Sequence, residues 1–268
     1  MLAASNSSLS AVLKIADAVS GNTAVEVASG VLAAAQIIET ETQLRNVLTD
    51  GGRTPASRSK LASDLFTNQI PTEAVNLVKE TVAMKWSSGA DLVDVLEQAG
   101  YRIMFGAAES DQVLDRVEEE VFRFARLVAQ SGELQMGLTN PAYESAAKAK
   151  LIENLLAGKA HPYSVKVLSH VAANLRGRRT DRVFDEVADL AAARRSKLRA
   201  KIRVAISLDD KQRDRLTKVL TKLYNKAVHL DEVIDPNVVG GIEIKIADDV
   251  IDGTIAGRLR QARHQVAG

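Results

Sequence analysis

The stretch DPNVVGGIEIKI (235–246) gives the strongest local signals for secondary structure in the chain. Asp235-Pro236 favours a turn, because proline presets φ and aspartate can bond its own backbone. Gly240-Gly241 permits a positive φ just before a strand. From Ile242 to Ile246 apolar and charged residues alternate, which is the period-two pattern of a half-buried strand. The stretch therefore predicts a turn followed by a strand.

The next segment, VIDGTIAGRL (250–259), continues this pattern of short elements. Asp252-Gly253 predicts a tight turn. Thr254 has the side chain of a helix N-cap, so we expect a terminal helix after the turn.

Upstream of these segments the amino-acid pattern predicts a strand, a helix and a second strand, in that order. Ile202, Val204, Ile206 and Leu208 alternate with polar residues, which predicts a strand. Asp209-Asp210 can cap a helix, and a second strand follows around 228–230. The apolar face of that helix is predicted to consist of Leu216, Val219, Leu220 and Leu223. Residues 201–268 are therefore predicted to form a small α/β domain.

The first two hundred residues contain an internal repeat at an offset of ninety. Val31 matches Val121, and the helix stop at Thr49-Asp50-Gly51 faces a second stop at Thr139-Asn140-Pro141. The apolar positions follow helical spacing in both copies. We expect a mostly α, α+β fold in which two related six-helix bundles, 1–98 and 99–200, precede the α/β domain.

The helices of the first copy are expected near 8–19, 23–40, 42–49, 55–67, 71–86 and 89–108. The repeat assigns the last helix of the first copy and the first helix of the second to the same residues. We therefore predict one continuous helix over 89–108 that both bundles share. Gly100 and Gly106 are its weak points, because each glycine costs roughly 1 kcal/mol relative to alanine.

Composition narrows the class of protein. The chain has 268 residues, 46% of them hydrophobic and only 4% aromatic, which favours helices with thin aliphatic cores. It has no cysteine, which excludes disulfides, cysteine zinc sites and thiol catalysis. Net charge is −4 over residues 1–100 and +5 over the remainder. This distribution suits docking between protein partners better than it suits nucleic-acid binding.

No segment of the sequence is predicted to span a membrane. The longest uncharged apolar run, Val27 to Ile38, lies between Glu26 and Glu39 and falls well short of the about 20 residues needed. The N-terminus lacks the basic-then-apolar order of a signal peptide.

No local pattern predicts catalysis, a cofactor or a metal. His161, His170, His229 and His264 lack metal-ligand spacing. No P-loop lysine follows Gly240-Gly241. The aspartates at 235, 248, 249 and 252 lack the EF-hand spacing and are explained as turn and cap residues. We therefore expect a protein without catalytic residues and without a small-molecule substrate.

The C-terminal segments resemble the signature of the delta subunit of F-type ATP synthases, the bacterial counterpart of the mitochondrial oligomycin-sensitivity-conferring protein. The matching residues are Asp235, Pro236, Gly240, Gly241, Ile251, Asp252, Gly253, Ile255, Arg258 and Leu259. Ala247 departs from the family, which usually has glycine there. Residues 92–268 resemble a whole delta subunit of ordinary length. The duplication and the stretch WSSGADLVDVLE (86–97) resemble the longer form found in actinobacteria.

This resemblance implies a subunit without catalysis of its own. In the family, the helical bundle grips N-terminal helices of the alpha subunits and the C-terminal domain holds the b-type peripheral stalk. Together they resist the torque of the rotor. The resemblance implies a peripheral protein on the cytoplasmic side of the plasma membrane.

The same resemblance places a groove for a partner helix between the first and fifth helices of a bundle, and an amphipathic helix can bind in such a groove. The corresponding residues are Tyr101, Phe105, Val167 and Val171 in the second copy, and Leu9, Val12, Leu77 and Thr81 in the first. Tyr101 and Phe105 are explained better as ordinary core residues than as partner anchors. Trp86, the single tryptophan, is either an interface anchor or the closure of a bundle end.

A basic run spans the junction between bundle and α/β domain. It consists of Arg194, Arg195, Lys197, Arg199, Lys201 and Arg203. A solvated helix face and a docking patch for an acidic stalk helix both explain it. The alternative function for the whole chain is a helical adaptor that binds nucleic acid through the Arg176–Arg203 region. An enzyme is a third and more distant interpretation.

Overall fold

The computed structural model divides the chain into two compact units, Met1–Arg194 and Arg195–Gly268. It describes residues 3–195, 198–224, 228–236, 238, 240–246 and 249–253. The predicted boundary between residues 98 and 99 falls inside a helix of the first unit, and the separate roles of 1–98 and 99–200 stay a prediction.

The first unit is all helical. Its helices are α1 (Ala3–Ala18), α2 (Ala24–Thr40), α3 (Thr42–Thr49), α4 (Pro55–Phe66), α5 (Thr72–Ala83), α6 (Gly89–Ser110), α7 (Leu114–Gln130), α8 (Gly132–Thr139), α9 (Ser145–Leu156), α10 (Pro162–Ala173) and α11 (Thr180–Arg195). Helices α2 to α5 and α7 to α10 begin and end ninety residues apart. The predicted repeat is thereby confirmed.

The predicted shared helix is confirmed as α6, which packs against α1, α2, α3 and α5 of the first copy and against α7 and α10 of the second. Ser88 caps it, because its hydroxyl accepts from the Asp91 amide at 3.1 Å. Two of the three glycines of α6, Gly100 and Gly106, admit neighbouring side chains. A Cβ at Gly100 would lie 2.5 Å from Cδ2 of Leu32, and one at Gly106 would lie 3.2 Å from Nη2 of Arg194.

Helix α1 begins at Ala3, five residues earlier than predicted. Its serine-rich start favours a turn when only local sequence is considered. In the folded chain these serines have distant partners instead. Ser5 donates to Asp91 Oδ2 at 2.7 Å, and Ser8 donates to the Lys85 carbonyl at 2.8 Å. These bonds join α1 to the segment that leads into α6.

Trp86 closes the end of the first copy. Its side chain is 9% exposed, and its Nε1 donates to the Thr81 carbonyl at 2.9 Å. Of the two interpretations offered by the sequence, the structure supports bundle closure.

The second unit combines a mixed sheet with one helix among its described residues. Its elements are β1 (Leu198–Val204), α12 (Asp210–Tyr224), β2 (Val228–Ile234), β3 (Ile242–Ile246) and β4 (Asp249–Asp252). The strand order is β2-β1-β3-β4, with β1 parallel to β2 and antiparallel to β3, and β3 antiparallel to β4. Its compact core comprises Ala200, Leu220, Val228, Ile244 and Ile246. So small a core gives limited independent stability.

Three expectations for this unit need correction. The first strand ends at Val204, because β2, its parallel partner, ends opposite it at Ile234; Ile206 is accordingly 81% exposed. Asp252 belongs to β4, which pairs with β3, so it is not a turn residue. The predicted apolar face of α12 is divided: Leu220 is buried, whereas Val219 is exposed.

The glycine pair before β3 was also a prediction from the sequence, as was a terminal helix. Gly240 and Gly241 have φ values of 61° and 87°, so the positive φ expected before β3 is confirmed. Ala247 and the helix predicted to begin at Thr254 lie outside the described residues.

Candidate functional site

The predicted groove residues lie in the core of the first unit. In the second copy Tyr101, Phe105, Val167 and Val171 are all buried. Their surfaces are in contact with the chain's own helices, as the core interpretation of Tyr101 and Phe105 requires.

In the first copy Val12, Leu77 and Thr81 are buried, and Leu9 is half-buried. Leu9 is therefore the one predicted groove residue of the eight with appreciable exposure. The partner-binding role of these residues stays a prediction.

Helix α2 of the first copy covers part of the second copy's predicted groove. Leu32 of α2 lies on Gly100, beside Tyr101. The Tyr101 hydroxyl lies 2.9 Å from Nδ1 of His170 on α10, and the two rings meet edge to face. Burial lowers the pKa of His170 to about 4, with Arg176 and Arg178 acting in the same direction and the Leu32 backbone opposing it. The histidine is therefore neutral at physiological pH.

We expect the first unit to lose stability in mild acid through His170. The pKa of its ring is about 4 when folded and about 6.5 when unfolded, so the unfolded state binds the extra proton as pH falls through this window. The free energy of unfolding should therefore fall by about 2 kcal/mol between pH 7 and pH 5. Urea unfolding followed by Trp86 fluorescence measures it, and the His170→Gln variant is the reference. Equal pH dependence in both proteins would contradict the assignment.

One cluster of ion pairs joins α1, α6 and α11, and we call it the Arg194 cluster. Arg102 on α6 binds both oxygens of Asp17 on α1, at 2.7 and 2.8 Å. Arg194 on α11 donates to the same Asp17 at 2.9 Å and to Glu109 on α6 at 2.6 Å. The Arg194 side chain is 7% exposed. The cluster therefore ties the first helix of one copy to the last helix of the other, across the helix that they share.

A second cluster, the Arg176 cluster, lies toward the N-terminal end of α6. Arg176 follows α10 and donates to Asp94 and Glu97, both at 2.5 Å. Arg178 also reaches Glu97, at 3.1 Å. Burial raises the pKa of Glu97, and the two arginines oppose that rise. Arg176 also lies 3.9 Å from Glu39 at the end of α2, so this cluster too includes both copies.

The repeat does not reproduce these clusters. Val12 and Met104 stand ninety residues before Arg102 and Arg194, and Trp86 stands ninety before Arg176. The ion pairs are therefore specific to the junction between the copies. Sequence reasoning missed them because each charge, viewed on its own helix, resembles an ordinary solvated residue.

The basic run is not one exposed patch. Arg194 is buried in its cluster, and Arg203 of β1 pairs with Asp235 at 2.6 Å and Glu243 at 3.0 Å. Arg194 is therefore neither a solvated nor a docking residue, whereas the side chain of Arg203 is paired but still 40% exposed. Lys197 lies outside the described residues, while Lys201 is exposed.

The upstream part of the proposed nucleic-acid surface is also paired. Arg176 and Arg178 bind Asp94 and Glu97, and Arg179 pairs with Asp181 at 2.6 Å. An arginine that already pairs with a carboxylate has few N–H donors and little uncompensated charge to offer a phosphate. This region therefore does not form a free basic surface for nucleic acid.

The described part of the C-terminal signature has structural contacts. Asp235 accepts from Arg203, and its carbonyl accepts from the Val238 amide at 3.0 Å in the predicted turn. The Gly253 amide donates to the Ile242 carbonyl at 2.9 Å and joins the end of β4 to β3. Ile251 is 38% exposed on β4. The positions at 255, 258 and 259 lie outside the described residues.

A groove that the sequence analysis did not predict lies between α7, α8 and α9. It has a volume of about 700 Å³ and is largely apolar, with Leu127, Leu134, Tyr143, Leu151 and Leu155 on its walls. In the first copy Arg53 stands at the position of Tyr143. Arg58, which matches the groove residue Lys148, is buried there and donates to the carbonyls of Ala83 and Met84, both at 3.1 Å. The two copies therefore present different surfaces.

Among the residues that the structure describes, no helix is long and apolar enough to cross a membrane. In the same part of the chain, no group of three or more histidine, aspartate or glutamate side chains is arranged to hold a metal ion.

The fold defines a mostly α, α+β protein made of a duplicated helical unit and a small mixed-sheet unit. The family model described as ATP synthase delta (OSCP) subunit matches residues 103–266, and the chain belongs to this family. Members of this family are non-catalytic subunits, and we assign the chain to that class.

Relatives of the same family match the duplicated part as well. The ATP synthase subunit delta of Streptomyces griseus is 36% identical over the whole of both chains. That of a Parafrankia species is 35% identical, covering 98% of each chain. The resemblance to the long actinobacterial form is thereby confirmed. A chain from a cryo-EM structure of the Toxoplasma gondii mitochondrial ATP synthase hexamer matches 65% of this chain and 98% of its own length. The match has a TM-score of 0.31 and 15% identity, too low to compare the folds in detail.

Proposed function

We propose that the protein is a peripheral-stalk (stator) subunit of a proton-translocating F-type ATP synthase. In this role it links alpha subunits of the catalytic head to the b-type stalk and resists the torque of the rotor. It works as a peripheral protein on the cytoplasmic side of the plasma membrane, held there through other subunits. Family membership and the full-length match to delta subunits support this proposal.

The observation that carries the mechanical part of the proposal is the pair of ion-pair clusters across α6. A stator must transmit force without bending. Helix α6 has 22 residues and so extends about 33 Å through the first unit. The Arg194 and Arg176 clusters fasten helices of both copies to it at separate positions. Because a partly buried charge that loses its partner is costly, relative movement of the copies is opposed.

We propose that the alpha subunit docks on the first copy, between α1 and α5. In the second copy the equivalent surface lies under α2, where Leu32 packs on Gly100 next to Tyr101. A partner helix would have to displace part of the chain's own core there. On the first copy Leu9 is half-buried and can gain contact with an apolar side chain of a partner helix. In this proposal residues 1–98 serve the head, 99–200 brace them, and 201–268 serve the stalk.

Calorimetry with the full chain and an N-terminal peptide of the same organism's alpha subunit tests this docking. We expect one peptide per chain, with an affinity that changes little between low and high salt, because the contact is mainly apolar. Leu9→Lys should weaken binding by at least about tenfold, since it places a charge in an apolar contact.

Leu127→Lys provides the matched control, because Leu127 is exposed in the α7–α8–α9 groove instead. If Leu127→Lys abolishes binding and Leu9→Lys does not, the alpha subunit docks on the second copy and our assignment is wrong. Two peptides per chain would mean that both copies bind.

The nucleic-acid alternative predicts binding to DNA or RNA that weakens steeply as salt rises. That result, without binding to either alpha or stalk, would overturn the stator proposal.

A further inference from the structure

Helix α12 carries an exposed apolar pair beside its buried face. Leu220 packs into the core of the second unit, with Leu216 against it. Val219 and Leu223, one turn apart on the neighbouring face, are 55% and 64% exposed. Two large apolar side chains adjacent on one helix provide an anchor for a second helix.

A row of basic residues borders this apolar pair. The four are spaced so that they share one side of the helix, and all are exposed: Lys211, Arg215, Lys218 and Lys222. Within the described part of the chain none of the four forms an ion pair. Arg213, by contrast, points to the sheet and pairs with Glu232 at 2.8 Å. We call the exposed pair and its four basic neighbours the α12 shoulder.

We propose that the α12 shoulder binds an acidic amphipathic helix of a partner protein, and that this helix belongs to the b-type stalk. The apolar pair would insert between apolar residues of the partner, and the row of four cations would face carboxylates along one side of the partner's apolar stripe. The identity of the partner rests on the function proposed above, whereas the chemistry rests on α12 alone. The resulting interface would be narrow, so its affinity depends on charge as well as burial.

Charge distinguishes this partner from other occupants. The chain's own C-terminal segment carries Arg258, Arg260 and Arg263, so it would bring like charges to the row. Nucleic acid would match the cations but leave Val219 and Leu223 in contact with a charged backbone. An acidic amphipathic helix matches both features.

The test measures binding of the full chain to the soluble part of the same organism's b-type subunit, by fluorescence anisotropy at two salt concentrations. The charge variant is R215E together with K222E, and the apolar variant is V219S together with L223S. We expect each pair to weaken binding by on the order of tenfold or more. The charge variant should also lose most of the salt dependence. All four positions are exposed, so the folded unit should persist, which circular dichroism verifies.

A matched control reverses the same number of charges elsewhere. K150E together with K159E alters two exposed lysines on and just after α9. This control should bind the b-type subunit within about twofold of the unchanged protein. If it weakens binding as much as R215E with K222E, the effect is one of net charge and the shoulder proposal fails.

The remaining outcomes separate this inference from the proposed function. Undiminished binding of the b-type subunit by both α12 variants would overturn the shoulder while leaving the stator function intact. Failure of the unchanged protein to bind the b-type subunit would overturn the stalk assignment itself. If an acidic amphipathic model peptide then bound in a manner sensitive to both variants, the chemistry proposed for α12 would stand with a different partner. Preferential binding of DNA by the shoulder would overturn it.

Discussion

Replacing Asp17 by asparagine is expected to destabilise the first unit by about 3 kcal/mol. Asp17 accepts from Arg102 and Arg194, whose side chains are 16% and 7% exposed. Asparagine keeps the shape but removes the charge, so two largely buried guanidinium groups lose a shared counter-ion. Glu109 still holds Arg194, which limits the loss. Urea unfolding followed by Trp86 fluorescence reports on this unit, because the only tryptophan lies within it.

Asp50→Asn is the matched control for this substitution. Asp50 pairs with Arg53 at 3.6 Å, and both side chains are about half exposed. Exposed pairs contribute little to stability, so a change of less than about 0.5 kcal/mol is expected. If the two variants were equally stable, the Arg194 cluster would not fasten the copies together, and the mechanical argument would lose its support. In membranes that contain the whole complex, Asp17→Asn should also lower the number of protons pumped per ATP hydrolysed.

Gly100→Val is expected to cost about 3 kcal/mol, because the new side chain would collide with Leu32. A Cβ at this position already lies 2.5 Å from Cδ2 and 2.6 Å from Cγ of Leu32, and 3.4 Å from the Ala28 carbonyl. Helices α2 and α6 would have to move apart. The loss should appear in the same unfolding measurement.

Gly137→Val controls for the helix propensity of valine. Gly137 also lies within a helix, α8, but a Cβ there meets no atom within 4 Å. Glycine and valine differ by only a few tenths of a kcal/mol in helix propensity, so this variant should be nearly neutral. If both variants lost the same amount of stability, the contact between α2 and α6 would not be the cause of the loss at Gly100.

The repeat made the helices of the first unit predictable. Helical spacing of apolar residues and the stops at Asp50 and Asn140 are local features, and they recur ninety residues apart. Continuity of α6 followed from the overlap of the two copies. In the second unit, β3 and its preceding glycines were predictable because alternation and positive φ are also local properties.

The partners of individual side chains could not be predicted in the same way. Arg194 and Asp17 are 177 positions apart, and nothing local indicates that they meet. Strand β4 was missed because its residues pair only across β3. The division of the apolar residues on α12 also depends on where the sheet ends, which periodicity does not define.

The sharing of α6 has a consequence for how such a chain can grow. Helix α2 begins at Ala24 and α7 at Leu114, so each added copy lengthens the sequence by ninety residues and contributes five new helices, the sixth being inherited. Because neighbouring copies share a helix, they need no separate linker. The interior of that shared helix is itself the connection between them. The same logic underlies repeat proteins that extend in one dimension. Duplication in this chain has therefore added a second helical copy while α6 stays continuous between the two.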